Sequence, residues 1–478
     1  MVFIITQTRN KLKKYITYKI FMILLIMQYS TQPLYSQELS KDKLQKYIVI
    51  AEKLVRNSLT QKKGYNWLKE LCDIGPRLSG SENSLKAIEW AKNKMIECGF
   101  DSVWLQPVMV PKWVRGKIES AEISVSKNKL RKKLTIVSFG GSVGTPSNGI
   151  TAEVVEVKSL EEAKSLGEKA KGKIIFYNRA FDNGLINTFE GYGRAVDQRA
   201  NGAIAAAKVG AAAVIVRSVQ ANYDNVPHTG VMNYEEGVNK IPSAAISVID
   251  ADYLSKNLLE DPKLKITIQM DCKSFPDVQS YNVIGQLTGH EKPHEIIVVG
   301  GHFDSWDKGC GAHDDGAPCL QTMEALDLLK RNGIKPNRTI RCVLFINEEN
   351  GLRGGIEYGN FSASSNEYHL AGIESDRGAY APRGFSVTTD SLSLAIMQSW
   401  LPILNKSNID WIRKGGSGGD VAQIKNAKAL FGYVPDDQRY MDVHHSDNDI
   451  FSAVHPREMQ LGSAAIAILC MLLSEEGI

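Results

Sequence analysis

The spacing of hydrophobic residues predicts a helical N-terminal region that is followed by a strand. Apolar side chains recur three and four positions apart over residues 41–72, as on one face of an amphipathic helix. A turn-rich segment of glycine, proline and serine follows at 75–81, and a second helix is predicted from 84 to 97. Residues 103–110 then form a short apolar run of the kind that is typical of a strand.

The pattern changes between about residues 134 and 271, where short apolar runs alternate with glycine-rich turns and one alanine-rich helix at 201–210. The predicted strands here are 152–157, 173–177, 213–216, 244–248 and 265–270. This region contains no cluster of His, Asp and Glu, which indicates a separate module that does not carry the candidate functional residues. We interpret it as a smaller α+β domain, residues 131–273, inserted into a second domain made of 37–130 and 274–478.

Strands and helices alternate from about residue 280 onwards. The predicted strands are 295–299, 339–346 and 370–373, and the predicted helices are 317–330, a segment after 354, and 456–473. This alternation is typical of an α/β fold with a doubly wound, mostly parallel sheet. Ligands of such sheets bind beyond the carboxyl ends of the strands.

Length and charge narrow the function classes. A chain of 478 residues can form two or three domains and bury a large core. Five of its basic residues lie in the first 36 positions, which contain no acid, so the formal charge of +4 falls to about −1 for the remainder. A near-neutral body argues against nucleic-acid binding.

The first 36 residues have the pattern of a secretory signal peptide. Basic residues precede an apolar run at 20–27, which is too short to span a bilayer by itself, and small residues precede Gln37. We therefore expect export to a secreted or periplasmic location, with no membrane association after cleavage. An uncleaved membrane anchor is the alternative interpretation.

The cysteines do not form a recognisable framework. The chain has seven, with no C-x-x-C spacing, which is atypical of a disulfide-rich scaffold. A single isolated disulfide is compatible with the sequence, but the spacing does not identify its partners.

Histidine and carboxylate side chains follow the predicted strands. His302 and Asp304 come after the strand at 295–299, and the adjacent acids Glu348 and Glu349 come after the next one. Buried polar groups at strand ends are costly unless something pairs with them. Of two neighbouring acids, one can bind a metal while the other accepts a proton from water.

Further candidate ligands lie nearby in the sequence. Asp314 opens a predicted helix and could act only as an N-cap, Asp376 follows an apolar strand and could be a turn acid, and His444 and His445 could be surface loop histidines. Taken in order, however, these residues complete an oxygen-rich set with more carboxylates than one metal needs. The set predicts a pair of divalent metals held for hydrolysis. The glycine-rich segment 415–420 is expected near the cleft, since glycine permits close backbone approach.

Several motifs together resemble the M28 family of co-catalytic zinc peptidases. The motifs are residues 75–81, 301–307, 311–316, 348–349, 374–376 and 444–446. Within the predicted inserted domain, residues 206–210, 227–230 and 240–242 resemble a protease-associated (PA) domain. The resemblance covers most of the chain after the signal peptide and implies the zinc exopeptidase fold.

The resemblance implies two zinc ions per chain and a role for each candidate ligand. His302 and Asp376 would hold one zinc, Glu349 and His445 would hold the other, and Asp314 would bridge the two. His445, rather than the histidine before it, is assigned as the ligand because the family pattern is His-Ser followed shortly by an acid.

The remaining roles are catalytic or supporting. Glu348 would be the general base and later the acid, and Asp304 would orient His302. Many relatives have tyrosine before the second histidine ligand, where it can stabilise the oxyanion. His444 occupies that position here, so the oxyanion donor stays open.

The resemblance therefore implies a secreted dizinc exopeptidase that hydrolyses short peptides, with dipeptides as the expected substrates. A broader aminopeptidase of the same family is an alternative, and an inactive binding protein on the same scaffold is a second one. A short peptide is the expected partner, and a homodimer stays open. The inserted domain could cap the cleft, limit substrate length or build a dimer.

Overall fold

The computed structural model describes residues 39–125, 127 and 131–478. The predicted signal peptide at 1–36 lies outside the described residues. The described strands are β1 Ser102–Val114, β2 Glu119–Val125, β3 Lys132–Leu134, β4 Ile136–Ser138, β5 Ile150–Val157, β6 Ile174–Tyr177, β7 Ala213–Arg217, β8 Ser243–Ile246, β9 Lys265–Met270, β10 Lys273–Leu287, β11 Lys292–His302, β12 Arg338–Phe345, β13 Tyr368–Ser375, β14 Pro382–Thr388, β15 Trp411–Lys414 and β16 Ala429–Pro435. The described α-helices are α1 Lys41–Gln61, α2 Lys63–Ile74, α3 Glu82–Glu97, α4 Leu160–Ser165, α5 Thr188–Ala195, α6 Asp197–Ala200, α7 Gly202–Lys208, α8 Val248–Glu260, α9 Ala317–Arg331, α10 Arg353–Ser364, α11 Ser391–Gln398, α12 Leu401–Leu404 and α13 Pro456–Glu476.

The first of two eight-stranded sheets has the order β1-β10-β12-β11-β13-β16-β14-β15. Its central strands β12, β11, β13 and β16 are parallel. On one side β10 pairs antiparallel with β12 and with β1, and on the other side β14 is antiparallel to β16 and parallel to the edge strand β15. The prediction of an α/β fold is confirmed. The parallel part occupies the centre because helices cover both faces there and the strands are buried almost throughout.

Alternate residues of the central strands enter two different cores. Ile297 and Val299 pack with α9 and α13 on one face of the sheet, whereas Ile296 and Val298 pack with Tyr358 of α10 on the other face. This alternation follows from the two-residue period of a strand. The alternation therefore determines which face of the sheet each side chain near the strand ends points to.

The second sheet has the order β3-β2-β9-β5-β6-β7-β8-β4 and its own hydrophobic cores. Strands β5 to β8 are mutually parallel, and the remaining pairs are antiparallel. The sheet takes β2 from residues that precede the predicted boundary at 131, because Glu119–Val125 pairs with β9. Sequence reasoning set that boundary by a change in composition, which does not reveal the partner of a strand.

Helix α13 is long and apolar enough to cross a membrane by length and composition. Most of its surface is nevertheless buried, and it packs against α9 and α1 in the largest hydrophobic core. It is therefore a helix of the hydrophobic core beside the first sheet. The predicted helix at 456–473 is confirmed and extends to Glu476.

Candidate active site

Three neighbouring parallel strands deliver the predicted site residues to one edge of the first sheet. Strand β11 ends at His302, which pairs with Phe345 at the end of β12. Strand β13 lies on the other side of β11 and ends one residue before Asp376. Because the strands are parallel, their carboxyl ends meet at the same edge, and the side chains that follow them converge.

One group of candidate ligands forms around His302. Its Nε2 atom lies 3.3 Å from Asp314 Oδ1 and 3.5 Å from Asp376 Oδ1. His302 and Asp314 are buried, and Asp376 is partly exposed. The His302, Asp314 and Asp376 side chains can therefore present a nitrogen and two carboxylate oxygens to a common point.

A second group forms around His445 and shares Asp314. The Nε2 atom of His445 lies 3.3 Å from Asp314 Oδ2 and 3.1 Å from Glu349 Oε2. Asp314 thus turns one carboxylate oxygen toward each histidine. The structure brings together all five residues that the sequence singled out as ligands.

The chemistry of these donors fits a pair of divalent cations. Asp314 Oδ2 and Glu349 Oε1 are buried and have no hydrogen-bond partner among the described residues. Burial raises the pKa of Glu349 well above its usual value, and the neighbouring charge of Asp314 raises it further. Gathering unpaired carboxylates in a buried site is costly, and cations bound by imidazole nitrogen and carboxylate oxygen remove that cost. Overlapping sets of three such donors lie within 4.8 Å of one another, one of which is His302, Asp314 and Glu349.

Asp304 supports the site differently from the sequence-based expectation. His302 Nδ1 is 3.0 Å from the backbone carbonyl oxygen of Asp304, not from its carboxylate. The Asp304 carboxylate instead accepts the backbone N–H groups of Asn347 and Glu348, at 2.7 Å and 3.1 Å. Asn347 has a left-handed backbone conformation, with φ of 72°. The prediction that the Asp304 side chain orients His302 is therefore wrong, because the chain turns after β11 and directs this side chain toward the end of β12.

Two further buried acids fix the backbone around Asp314. Asp449 accepts the N–H groups of His313 at 2.7 Å and Asp314 at 3.0 Å. Asp315 Oδ2 accepts the backbone N–H of His302 at 3.1 Å. Both carboxylates hold the main chain in place and leave the Asp314 oxygens free to face the two histidines.

The predicted turn at 75–81 contributes a buried arginine whose role the sequence did not reveal. Arg77 is fully buried and donates hydrogen bonds to the carbonyl oxygens of Phe303 at 3.1 Å and Gly311 at 3.0 Å. The hydroxyl of Ser79 accepts a hydrogen bond from Asn347 Nδ2 at 2.9 Å. This turn therefore holds both the loop before Asp314 and the loop before Glu348. The feature of the sequence that could have indicated this role is the arginine at position 77, within a segment of turn-forming residues.

Glu348 lies beside the two ligand groups but is not part of either. It lines the same cavity as His302 and Glu349 and is partly exposed. Its pKa is raised to about 8, mainly by burial and also by the charges of Asp376 and Asp304, although His302 acts in the opposite direction. A carboxylate of raised basicity that faces the cavity is suited to accepting a proton.

The tandem histidines are stacked, with ring centroids 3.5 Å apart. His445 has a left-handed backbone conformation, with φ of 61°, and its ring reaches Asp314 and Glu349. His444 Nε2 lies 3.9 Å from Asp314 Oδ2, and its ring packs against Tyr192 and Tyr440. The contacts of His445 are the shorter ones, which favours its assignment as the ligand.

The glycine-rich segment 415–420 lies against the strand-end acids, as expected from its composition. A Cβ atom at Gly418 would collide with the carboxylate of Glu374, and one at Gly419 would lie 3.3 Å from Glu348 Oε1. Glu374 accepts the backbone N–H groups of Asp420 at 3.3 Å and Val421 at 2.7 Å. The segment therefore closes one side of the site, and only glycine fits at the first of these positions.

The inserted module supplies part of the cavity wall, which sequence reasoning missed. A cavity of 530 Å³ is lined by the candidate ligands together with Phe189, Tyr192, Arg199 and Asn233. The backbone N–H of Thr229 also donates to the carbonyl oxygen of His445 at 2.9 Å. Residues far apart in the chain thus meet across the site, and no local motif marks the wall residues.

Comparison with known proteins gives consistent matches along the chain. Residues 282–468 match the model of peptidase family M28. The chain is 36% identical to carboxypeptidase Q of Bos taurus over 441 residues, which cover 91% of each protein. It is 36% identical to carboxypeptidase Q of Homo sapiens over 417 residues, which cover 87% of this chain and 86% of the relative.

Solved structures share the architecture. A peptidase M28 precursor from Shewanella amazonensis has a TM-score of 0.86 at 32% identity, covering 91% of this chain and 98% of that one. A zinc aminopeptidase from Bacillus subtilis, BSAP, has a TM-score of 0.59 at 21% identity, covering 86% of this chain and 94% of that one. The second likeness concerns the fold alone.

Proposed function

The chain belongs to peptidase family M28, and on that premise we propose that it is an exported exopeptidase that uses two zinc ions to hydrolyse dipeptides and other short peptides. The observation that carries this proposal is the shared carboxylate of Asp314, which faces His302 with one oxygen and His445 with the other. A carboxylate between two histidine-acid groups is the donor arrangement that a two-metal hydrolase needs. The extended similarity to proteins named carboxypeptidase Q supports the exopeptidase assignment.

The proposed ligands are His302 and Asp376 for one zinc, Glu349 and His445 for the other, and Asp314 for both. Their nitrogen and oxygen donors suit Zn²⁺. When bound, the metals would polarise the scissile carbonyl group and lower the pKa of an attacking water molecule.

Glu348 carries the proton transfers in this proposal. It lies next to the ligand groups, faces the cavity and has a raised pKa, so it can accept a proton from the attacking water and deliver it to the leaving amine. Asp304 positions Glu348 by accepting its backbone N–H. His444, packed between Tyr192 and Tyr440 at the edge of the ligand set, is a candidate for contact with the developing oxyanion.

Short substrates are favoured by the cavity. Its volume of 530 Å³ is bounded on one side by side chains of the inserted module, which we assign as a PA-like domain over residues 131–273. A wall at that position restricts how far a peptide can extend beyond the scissile bond. A broader aminopeptidase of the same family is the second candidate; the chain shares its fold with BSAP, a protein named an aminopeptidase.

A panel of dipeptides and tripeptides with free and blocked ends, assayed with and without a chelator, tests the proposal. Chelator-sensitive release of amino acids from dipeptides is the expected result. Efficient cleavage of longer peptides from a free N-terminus would instead support the broader aminopeptidase. If no member of the panel is hydrolysed in a chelator-sensitive way, an inactive binding protein on this scaffold becomes the better description.

A further inference from the structure

His445, a proposed ligand of the second zinc, differs from His302 in how its imidazole is oriented. His302 Nδ1 lies 3.0 Å from the carbonyl oxygen of Asp304, whereas His445 Nδ1 is buried and has no hydrogen-bond partner among the described residues. A histidine that binds a metal usually donates its other ring N–H to a fixed acceptor, which sets the orientation of the imidazole. The orientation of His445 must therefore come from its backbone and from packing.

The inserted module holds the backbone of His445. This residue has a left-handed conformation, with φ of 61°, which a residue with a Cβ atom adopts only at a cost in free energy. Its carbonyl oxygen accepts the backbone N–H of Thr229 at 2.9 Å. A Cβ atom at Gly230 would lie 2.8 Å from His445 Nδ1, so the module also packs closely against the imidazole. The conformation that directs this imidazole toward Asp314 and Glu349 thus depends on contacts from the inserted module.

Trp306 contacts the same imidazole from the loop that follows β11. The indole and the imidazole of His445 meet at an angle of 64°, with centroids 5.8 Å apart. Trp306 is 2% exposed and belongs to a hydrophobic core of the second sheet, and a Cβ atom at Gly140 would collide with it. A residue of the loop between His302 and Asp314 is therefore docked in the inserted module while it packs against a proposed ligand.

The next residue, Asp307, pairs with a buried arginine. Asp307 Oδ2 accepts a hydrogen bond from Arg115 Nε at 2.9 Å, and Asp307 Oδ1 pairs with Arg115 Nη2. Arg115 is 8% exposed and lies between β1 and β2, where the chain passes from the first sheet to the second. A two-point pair between a carboxylate and a planar guanidinium fixes the relative geometry of the two groups as well as their charge.

The guanidinium of Arg115 also contacts the residue that holds His445. Arg115 Nη2 donates to Thr229 Oγ1 at 3.3 Å, and the Thr229 hydroxyl donates in turn to the carbonyl oxygen of Ser138 in β4 at 2.8 Å. The contacts therefore form a closed path, in which each residue touches or follows the next. This positioning network consists of Asp307, Arg115, Thr229, His445 and Trp306.

We infer that Asp307 is a positioning residue for the second zinc, because through Arg115 and Thr229 it holds His445 in the conformation that binds the metal. The inserted module then does more than bound the cavity, since it supplies the contacts that orient this ligand. His302 and Asp376 lie outside the positioning network, so the first zinc should be much less sensitive to it. The inference rests on the proposed two-zinc function and adds a role for the inserted module in metal binding.

Zinc binding by the purified protein tests this role directly. The metal-free protein is titrated with zinc in competition with a chelator of known affinity, which resolves two binding constants. Asp307→Asn keeps the shape of the side chain but removes its charge. It should weaken one zinc site by about 10- to 100-fold, the range for residues that support a metal ligand, with little change at the other site. His445→Gln removes the ligand itself and so identifies which binding step belongs to the second zinc.

Two further variants separate positioning from a general loss of structure. Thr229→Val removes the hydroxyl that Arg115 binds, keeps the backbone N–H and changes no charge, and it should weaken the same zinc site. Combined with Asp307→Asn it should add little, because both substitutions interrupt the same path. Asp252→Asn is the matched control, since it makes the same substitution at an exposed acid of the module that pairs with Arg217. This control should bind both zinc ions as the wild-type protein does.

The outcomes separate this inference from the proposed function. Selective weakening of the site that His445→Gln removes, in Asp307→Asn and in Thr229→Val, supports the inference. Equal weakening of both zinc sites, or zinc binding that is unchanged in both variants, overturns it. If Asp307→Asn does not fold, Thr229→Val alone decides between these outcomes. A wild-type protein that binds fewer than two zinc ions would contradict the proposed two-zinc function itself.

Discussion

At the scale of single residues, the adjacent acids at the end of β12 occupy different positions. Glu349 points toward Asp314 and His445, within the ligand groups. Glu348 faces the cavity, and its backbone N–H is fixed by Asp304. Two side chains with the same chemistry therefore have different surroundings.

The difference between the two acids leads to a prediction for Glu348→Gln. The amide keeps the shape but cannot accept a proton, so kcat should fall by about 100- to 10,000-fold while the metal content stays at the wild-type value. Steady-state kinetics and atomic spectroscopy on the same preparation measure both quantities.

Glu349→Gln is the matched control for that prediction, because it alters the neighbouring acid by the same substitution. Its expected effect is a lower metal content, since the amide is a weaker ligand than the carboxylate. Full turnover by Glu348→Gln, or equal metal loss in both variants, would contradict the assignment of the base.

At the scale of elements, helix α2 and the loop that leads to Asp314 meet through two cysteines. The Sγ atoms of Cys72 and Cys310 are 2.7 Å apart. Cys310 also shares its loop with a carbonyl oxygen that Arg77 holds, and its backbone N–H donates to the backbone carbonyl oxygen of Asp449 at 2.8 Å. A covalent link at this point would tie α2 to the loop that positions the candidate ligands.

We expect Cys72 and Cys310 to form a disulfide when the protein is incubated with glutathione disulfide. The two thiols lose two hydrogens and the oxidant is reduced to two glutathione thiols, so the exchange balances. The link should stabilise the fold by about 2–4 kcal/mol. Peptide mapping identifies the pair, and denaturant unfolding with and without reductant measures the gain.

The matched variant for the disulfide is Cys72→Ser, which should abolish the dependence of stability on reductant. Cys98→Ser changes another partly buried cysteine and should retain that dependence. Free thiols at both positions after oxidation would show that the two elements do not become linked.

At the scale of the whole molecule, buried histidines make the stability of the fold depend on pH. His369 of β13 is fully buried, and its Nε2 atom lies 3.2 Å from the hydroxyl of Tyr358 in α10. Burial, reinforced by the charge of Arg341, lowers its pKa to about 4. The folded protein therefore keeps this side chain neutral where the unfolded chain would protonate it.

The sign of the effect follows from proton linkage. Between pH 4 and about 6.5, the ordinary pKa of histidine, the unfolded chain binds more protons at this position than the folded protein. The free energy of unfolding should therefore fall as the pH is lowered through this window, with a contribution from His369 of at most about 1.4 kcal/mol per pH unit. His369→Gln should reduce that slope, measured by urea unfolding at several pH values.

An exposed histidine provides the comparison for the pH experiment. His294→Gln lies on the same sheet but at an exposed position, and it should leave the slope of the wild-type protein unchanged. Equal slopes in His369→Gln and the wild-type protein would show that the buried imidazole does not contribute.

The sequence by itself determined the element types, the α/β class and the candidate ligands. The periodicity of hydrophobic residues is a local property, so the strands before His302 and Glu348 and the helices at 317–330 and 456–473 could be predicted from it. The cost of placing acids and histidines at the ends of apolar strands also marked those residues as a set. If the strands that carry these residues are parallel neighbours, their carboxyl ends bring the residues to one edge of the sheet.

The tertiary structure alone decided which distant residues complete the site. Asp304 holds the turn before Glu348, Arg77 holds the loop before Asp314, and Arg199 reaches the cavity from helix α6. None of these contacts has a period or a spacing along the chain, because each depends on how two packed elements are oriented. The strand ends thus identified the chemistry, and the packing of the inserted module around them shaped the space that a substrate can enter.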